Sequence, residues 1–348
     1  MKKLAILISI LVTLSLIIPL AACSSSSSTT SAPAQTAKVL RLAVPWPVGD
    51  PVTNQIQKFL DNFNAKAAGR YVIELHPSES LVKTADSMDA LRTGAVEMAG
   101  WPVGVFASND ARYAAAEIPF LVNNVQADAA MQVKTMPLYD SFQETKFNSK
   151  PLFSFTCLAL DIISTKPIKV ASDWNGLLCQ SVSPQSAKFI GAMGGSAVPL
   201  DFPEAYQALQ KGTVTASTQS SSLDIMFKLN EVAKYITRGY LIPAAIMISI
   251  NVDTYKAMPQ DLQTAIVQTG LQAQTDANTF FIATDKTNND TLTGMGINVY
   301  ALPKDERDRW MKMVKPASDS LLQAMPADFA AQVKAAADQV NASNPYSY

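Results

Sequence analysis

Residues 39–51 have the sequence VLRLAVPWPVGDP, in which an apolar run is followed by two prolines. The run predicts a buried β-strand over residues 39–44. Asp50 followed by proline is typical of a helix start, because a carboxylate caps the first amide groups and proline fits the first turn. We expect this helix to continue to about Ala67, where Gly69 stops it.

The same alternation continues downstream. Residues 71–75 alternate as a second strand, residues 84–92 have helical spacing, and residues 95–100 predict a third strand. Strands and helices therefore follow one another in β-α-β-α-β order. This order predicts an α/β fold with a largely parallel sheet and right-handed crossovers.

A second copy of part of this pattern lies in the middle of the chain. Residues 90–96 (ALRTGAV) resemble residues 208–214 (ALQKGTV), and each is a predicted helix end followed by a strand. Two such units predict facing lobes. Ligands of parallel sheets bind beyond the carboxyl ends of the strands, so residues 100–102 and 218–220 are expected to face a cleft.

Two apolar runs and one long helix predict how the lobes are joined. Residues 151–163 and 241–252 are each suited to a strand that crosses between lobes. Residues 260–293 predict a helix of roughly 50 Å at 1.5 Å per residue, which would brace both lobes. The predicted division is residues 39–157 with 253–348 for lobe I and residues 158–252 for lobe II.

The N-terminus has the pattern of a lipoprotein export signal. A basic pair precedes an apolar segment over residues 4–20, and Ala21-Ala22-Cys23 supplies the small residues and the cysteine at which such a signal is cut and acylated. We expect residues 1–22 to be removed, Cys23 to carry a lipid, and the Ser-rich residues 23–38 to form a flexible tether. An ordinary transmembrane anchor is the alternative. The expected location is the extracytoplasmic, or periplasmic, face of the cell envelope.

Composition excludes several functional classes. The formal net charge of the 348 residues is −1, and loss of two lysines with the signal makes it −3, so nucleic acid is not an expected partner. His76 is the single histidine and no Cys-x-x-Cys occurs, which argues against a zinc site. We expect no metal, no cofactor and no enzyme activity. Cys157 and Cys179 could be buried free thiols or a disulfide.

Motifs spread over residues 39–340 resemble, in order, those of one family of transporter receptors. They are Leu40-Arg41-Leu42-Ala43, Gly49-Asp50-Pro51, Leu91-Arg92-Thr93-Gly94-Ala95, Ile118-Pro119-Phe120-Leu121, Lys166-Pro167-Ile168-Lys169, Asp173-Trp174-Asn175-Gly176-Leu177 and the segment 204–214. The chain is similar to the extracytoplasmic solute receptors of tripartite ATP-independent periplasmic (TRAP) transporters, of the dicarboxylate-receptor (DctP) type. Each motif alone is modest, and the ordered set is specific.

The resemblance implies a fold class and a function. It implies an α/β, two-lobed clamshell like that of periplasmic binding proteins, with hinge strands and a long bracing helix. Such a receptor closes on a small molecule and presents it to integral membrane subunits that an ion gradient drives. No catalysis is implied.

The candidate ligand site departs from the family pattern. At the position of a family arginine that clamps a substrate carboxylate, this chain has Gln180, and a second family arginine falls near Leu160. Residues 215–219 (TASTQ) replace a family segment that contains two acids. A buried carboxylate without a cationic partner costs several kcal/mol. A simple dicarboxylate is therefore not the expected ligand, and we expect a neutral or aromatic one.

The remaining site candidates follow from that expectation. Trp46 and Trp101 follow predicted strands and could supply flat apolar walls, while Gln180, Gln219 and Tyr240 could supply hydrogen bonds. Core packing is the alternative for each tryptophan.

Two other functional hypotheses stay open at the level of sequence. Arg238 could have taken over as the partner of a small organic acid, although a solvated arginine at a strand end is the simpler interpretation. Alternatively, the chain could be a sensory or structural lipoprotein that has kept the fold without transport.

Overall fold

Two β-sheets and the helices that pack on them make up the part of the chain that the structure describes. The structure is a computed structural model and describes residues 36–347, so the predicted signal, Cys23 and nearly all of the predicted tether lie outside it. The strands are β1 Lys38–Ala43, β2 Tyr71–His76, β3 Met98–Pro102, β4 Ser149–Thr156, β5 Leu160–Ser164, β6 Leu178–Ser181, β7 Ser196–Pro199, β8 Ala216–Gln219, β9 Tyr235–Ile242, β10 Ala245–Asn251 and β11 Asn298–Ala301.

The helices alternate with these strands. They are α1 Pro51–Ala67, α2 Thr84–Thr93, α3 Val125–Phe147, α4 Pro184–Met193, α5 Ala205–Lys211, α6 Ser221–Met226, α7 Val252–Lys256, α8 Gln260–Gly294, α9 Lys304–Gln323 and α10 Ala327–Ser343. Two 3-10 helical segments, Val103–Ser108 and Ala111–Glu117, follow β3. Within residues 36–347, no helix is both long and apolar enough to span a bilayer.

The first sheet has the strand order β2-β1-β3-β10-β4. β1 lies parallel to both β2 and β3, which confirms the parallel unit predicted from residues 39–100. β10 is antiparallel to β3 and β4. Apolar residues of α1 and of the strands form a core around Phe59, Phe63 and Phe153.

The second sheet has the strand order β11-β9-β5-β8-β6-β7. β6 lies parallel to β7 and β8, while β5 is antiparallel to β8 and β9. The core on this sheet includes Trp174, Trp310 and Phe189, whose rings meet edge to face. The repeated motif is confirmed as a helix end in both copies, since Gly94 (φ 76°) and Gly212 (φ 73°) end α2 and α5 in the left-handed conformation.

Three connections cross from one sheet to the other: β4 to β5, β9 to β10, and β10 through α7 and α8 to β11. The first two lie in the predicted apolar runs. Residues 151–163 were expected to be one strand, but they contain the end of β4 in the first sheet and β5 in the second. The run breaks between Thr156 and Leu160, where Leu158 has φ 76°, a left-handed conformation outside the β region. Residues 241–252 likewise divide into β9 and β10 around Pro243, which has no amide hydrogen for a ladder. The expectation of continuous strands was wrong, although both runs do cross between sheets.

The sheet to which each strand belongs can be compared with the predicted division into lobes. Residues Ala37–Tyr348 form one compact unit, and the division into two lobes stays a prediction. If each sheet is the centre of one lobe, β10 belongs with the first lobe and β11 with the second. That assignment moves both strands across the boundaries expected from the sequence.

The predicted long helix is confirmed as α8, which has 35 residues and is therefore about 52 Å long. It contacts β4 and α1 of the first sheet and also β11 of the second. Gly270 lies where the helix approaches β4 most closely, because a Cβ there would be 2.9 Å from the carbonyl oxygen of Leu152. The helix thus supports both sheets behind the cavity described next.

Candidate functional site

One cavity lies beyond the carboxyl ends of strands from both sheets. Its lining includes residues that follow β1, β3, β6 and β8, the position expected for a ligand site of parallel strands. The lining residues are Trp46, Asp50, Pro51, Val52, Pro102, Val105, Glu117, Cys157, Leu160, Val182, Ser183, Phe202, Ser220, Ser222, Leu223, Ala244, Ile246 and Phe281. Two other pockets, lined by residues within 181–204 and by residues from the segments 167–169, 235–237 and 293–300, do not combine strand ends from both sheets.

Most of the cavity wall is apolar. Trp46 and Leu160, both predicted from the sequence, contribute to it, as do Phe202 and Phe281. Trp46 lies in the loop between β1 and α1 and is partly exposed, whereas Leu160 begins β5 and is buried. The chemical character of this wall suits the apolar or aromatic body of a small organic molecule.

Asp50 is one of two carboxyl groups in the lining. It is the N-cap of α1, and its Oδ1 accepts hydrogen bonds from the amides of Val52 at 2.7 Å and Thr53 at 3.4 Å. The residue is 5% exposed, and this burial raises the pKa of Asp50 in spite of the two hydrogen bonds. The capping role fixes the carboxyl at the cavity wall.

Glu117 is the second carboxyl group, at the end of the 3-10 segment Ala111–Glu117. It is 5% exposed, and burial raises the pKa of Glu117 to about 7, although a hydrogen bond from Ser183 acts in the opposite direction. Its Oε2 is buried and has no hydrogen-bond partner among the described residues. Gly104 makes room for it, because a Cβ there would lie 2.2 Å from the Glu117 carboxyl carbon.

The lining contains no lysine, arginine or histidine in the part of the chain that the structure describes. Arg238, the sequence candidate for a relocated carboxylate partner, is 1% exposed and is engaged elsewhere. Its guanidinium donates to Asp161, Asp285 and Asn289. Arg238 is thus the centre of a buried ion-pair network between β9, β5 and α8, and not a residue of the cavity.

Gln180 is also a structural residue. Its Nε2 donates to the carbonyl oxygens of Leu200 (3.0 Å) and Asp201 (2.7 Å), and its Oε1 accepts from Ser217 and from Gln219. A primary amide has two donor hydrogens and two acceptor lone pairs, so all four are used within the protein. Gln180 does not line the cavity, so its amide stabilises the protein rather than facing this space.

Gln219 lies beside Gln180 at the end of β8. Its Nε2 donates to Gln180 at 3.2 Å and to the carbonyl of Phe202 at 3.4 Å. Its Oε1 is buried without a partner among the residues described. Gln219 thus supports Phe202, which lines the cavity, while Gln219 itself lies behind the wall.

Trp101 and Tyr240 lie in the core and not at the cavity. Trp101 is fully buried on β3, in the interior of the first sheet, and packs edge-on against Phe106 at 5.4 Å between ring centroids. Tyr240 donates to Asp128 at 2.9 Å. The cavity lining instead includes Pro102, the last residue of β3, and Val105, which follows the strand.

The two cysteines are free thiols in the structure, which resolves the alternative left open by the sequence. Cys157 lines the cavity, and Cys179 is fully buried in β6. Burial raises the pKa of both thiols, so neither is a ready nucleophile.

The two carboxyl groups were not predicted as site residues. Asp50 was predicted only as a helix start, and Glu117 directly precedes the motif Ile118-Pro119-Phe120-Leu121. An acid isolated between three alanines and an apolar motif was a usable signal, because an ionisable side chain in such a segment is rarely buried without a reason.

Comparisons with known proteins agree with this geometry. The model of the family DctP, described as bacterial extracellular solute-binding protein, family 7, matches residues 42–324. A C4-dicarboxylate-binding periplasmic protein DctP from Rhodobacter capsulatus is 25% identical over 280 residues, which are 77% of this chain and 81% of the relative.

Solved structures show the same fold. A Bordetella pertussis extracytoplasmic solute receptor, DctP7, which binds pyroglutamic acid, has a TM-score of 0.80 at 18% identity and covers 87% of this chain and 100% of its own. A TRAP periplasmic solute-binding protein from Desulfovibrio salexigens with bound orotic acid has a TM-score of 0.78 at 18% identity, with 87% and 99% coverage.

Proposed function

Since the chain belongs to bacterial extracellular solute-binding protein family 7, a family of binding proteins and not of enzymes, we propose that it is the solute receptor of a TRAP transporter. It binds a small organic molecule outside the cytoplasmic membrane and presents it to integral membrane subunits. The observation that carries this proposal is the cavity at the carboxyl ends of strands from both sheets, lined by residues of both. The predicted lobes would close on the solute through the crossing connections.

The proposed ligand is neutral or aromatic, and not a simple carboxylic acid. The solved relatives above bind pyroglutamic acid and orotic acid, which are both carboxylic acids. A buried carboxylate needs a cationic or strongly donating partner in the protein. The described lining offers no such cation, and its aromatic side chains are Trp46, Phe202 and Phe281. Arg238, the candidate for binding an acid, forms ion pairs with Asp161 and Asp285. These ion pairs argue against the alternative of an acidic ligand.

We further propose that Cys23 anchors the receptor to the membrane through a lipid. The support is the sequence pattern alone, an apolar segment followed by Ala21-Ala22-Cys23 and a Ser-rich tether. Metabolic labelling with a fatty-acid probe tests this anchor. Label should appear on the wild-type chain and be absent from Cys23→Ser, and equal labelling of both would refute the anchor.

A two-part experiment tests the receptor function. Thermal unfolding of the purified chain against a metabolite library identifies compounds that raise the Tm, because a ligand that binds only the native state stabilises it. Uptake of the best compound is then measured in host cells with and without the gene. If cells without the gene no longer take up the compound, the chain functions in transport. If the compound binds tightly but uptake is unchanged without the gene, the result supports a sensory role. A chain that no compound stabilises would be a structural lipoprotein.

A further inference from the structure

The strongest unexplained feature of the cavity is its pair of carboxyl groups without any basic partner. Asp50 and Glu117 come from separate loops, after β1 and after β3, and line the same apolar space. No lysine, arginine or histidine of residues 36–347 lines it with them. The described lining therefore contains two acidic groups and no basic group.

Glu117 is the more informative of the two. Its Oε2 is buried and lacks a hydrogen-bond partner in the described chain, although nearly all buried polar atoms in proteins are paired. Gly104 lies against the carboxyl, since a Cβ at that position would overlap with the Glu117 side chain as it is placed. A buried carboxyl oxygen without a hydrogen-bond partner is suited to accept a hydrogen bond from a ligand in the cavity.

We propose that the ligand is an organic amine, whose protonated nitrogen donates to Glu117 while its apolar or aromatic body packs on Trp46 and Phe202. This inference rests on the proposed receptor function and names the ligand class of the same cavity. It keeps the apolar or aromatic body of the proposed ligand but replaces a neutral molecule by a cation, because the Glu117 carboxylate has no described counter-charge in the cavity.

Physical chemistry favours an amine over the two alternatives. A carboxylate ligand would add a negative group to a lining that already contains two carboxyl groups and no described cation to offset them. An alcohol could donate one hydrogen bond but would leave the carboxylate without a counter-charge. An ammonium group supplies both the donor hydrogens and the charge, and the aromatic face of Trp46 also attracts cations.

Matched probes test the ligand class. Isothermal titration calorimetry at pH 8 would use amines, alcohols and carboxylates built on the same benzyl, cyclohexylmethyl and butyl frames. We expect the amine of at least one frame to bind at least tenfold more tightly than its alcohol and its carboxylate. Glu117→Gln should weaken that amine at least tenfold, whereas the control Glu74→Gln, which changes an exposed residue of β2, should leave its affinity unchanged.

A second variant tests the contact between the amine and Glu117 without removing the charge of the carboxyl. Gly104→Ala retains the Glu117 carboxyl but forces it to move, and should also weaken amine binding. Gly191→Ala, at a helix position with open space around it, is its control.

Each contrary result has a defined meaning. Tighter binding of an alcohol would overturn the amine inference and leave the proposed function intact. Tighter binding of a carboxylate would overturn both the inference and the proposed ligand class. Amine binding that is insensitive to Glu117→Gln, or no binding by any amine of the three frames, would also overturn the inference, while uptake assays judge the receptor function separately.

Discussion

Replacing Glu117 by glutamine should stabilise the ligand-free protein, and the gain should grow with pH. Burial raises the pKa of Glu117 from 4.5 to about 7, so the native state binds more protons than the unfolded chain between these values. The wild type therefore loses stability as pH rises through this window. Glutamine has no proton to lose, and its native state carries no such penalty.

The magnitude follows from the shift. One pKa unit corresponds to 1.36 kcal/mol, and integration of the two titration curves between pH 5 and pH 8 gives a loss of about 2.5 kcal/mol for the wild type. The side chain is almost fully buried, so little of this is screened by solvent. The stability difference between Glu117→Gln and wild type should therefore increase by about 2.5 kcal/mol over that range.

Urea unfolding at pH 5, 6, 7 and 8 measures this difference directly. The exposed carboxyl variant Glu74→Gln serves as the control and should show no comparable change with pH. A difference for Glu117→Gln that stays constant with pH, or that reverses its sign, would mean that the carboxyl is not desolvated as the structure indicates. The reasoning about an unpaired acid in the cavity would then fail as well.

Three further variants test the structural roles assigned above. Arg238→Met leaves the buried Asp161 and the partly buried Asp285 without their cation and should lower the free energy of unfolding by about 3–5 kcal/mol, with unchanged ligand preference. A selective loss of binding to acids would instead make Arg238 a ligand residue. Gln180→Met removes the four hydrogen bonds that the Gln180 amide makes to Leu200, Asp201, Ser217 and Gln219 and should lower the free energy of unfolding by about 3 kcal/mol. An unchanged free energy of unfolding would contradict the structural role assigned to Gln180. Gly270→Ala should destabilise by about 1–3 kcal/mol because its Cβ meets the backbone of β4, whereas Gly191→Ala should be neutral or stabilising by up to about 1 kcal/mol; equal thermal shifts would contradict the close approach of α8.

The elements of the fold could be predicted because local rules determine them. The apolar run before Pro45, the cap at Asp50 and the glycines after α2 and α5 act over a few residues, and the structure agrees with them. The crossing strands could not be predicted in full, because a left-handed residue at Leu158 leaves no mark in an apolar sequence. An apolar run gives the composition of a strand but not the point where it changes sheets.

The site was less predictable because hydrogen-bond partners lie far apart in sequence. Arg238 and Asp161 are 77 residues apart, and Gln180 receives its bonds from Ser217 and Gln219, 37 and 39 residues away. The identity of a polar residue shows what it can bind but not whether its capacity is already used. Glu117 could have been predicted as a site residue, because an acidic residue within an apolar segment can be recognised in the sequence without knowledge of its partners.

The central claim is that a non-acidic solute binds in the cavity beside Glu117. A crystal structure with the tightest-binding metabolite from the thermal screen tests it most directly. The account predicts a compound without a carboxylate, with a donor nitrogen within about 3.2 Å of the Glu117 carboxyl and its body against Trp46 and Phe202. An acid held by an arginine, or a ligand bound outside this cavity, would contradict it.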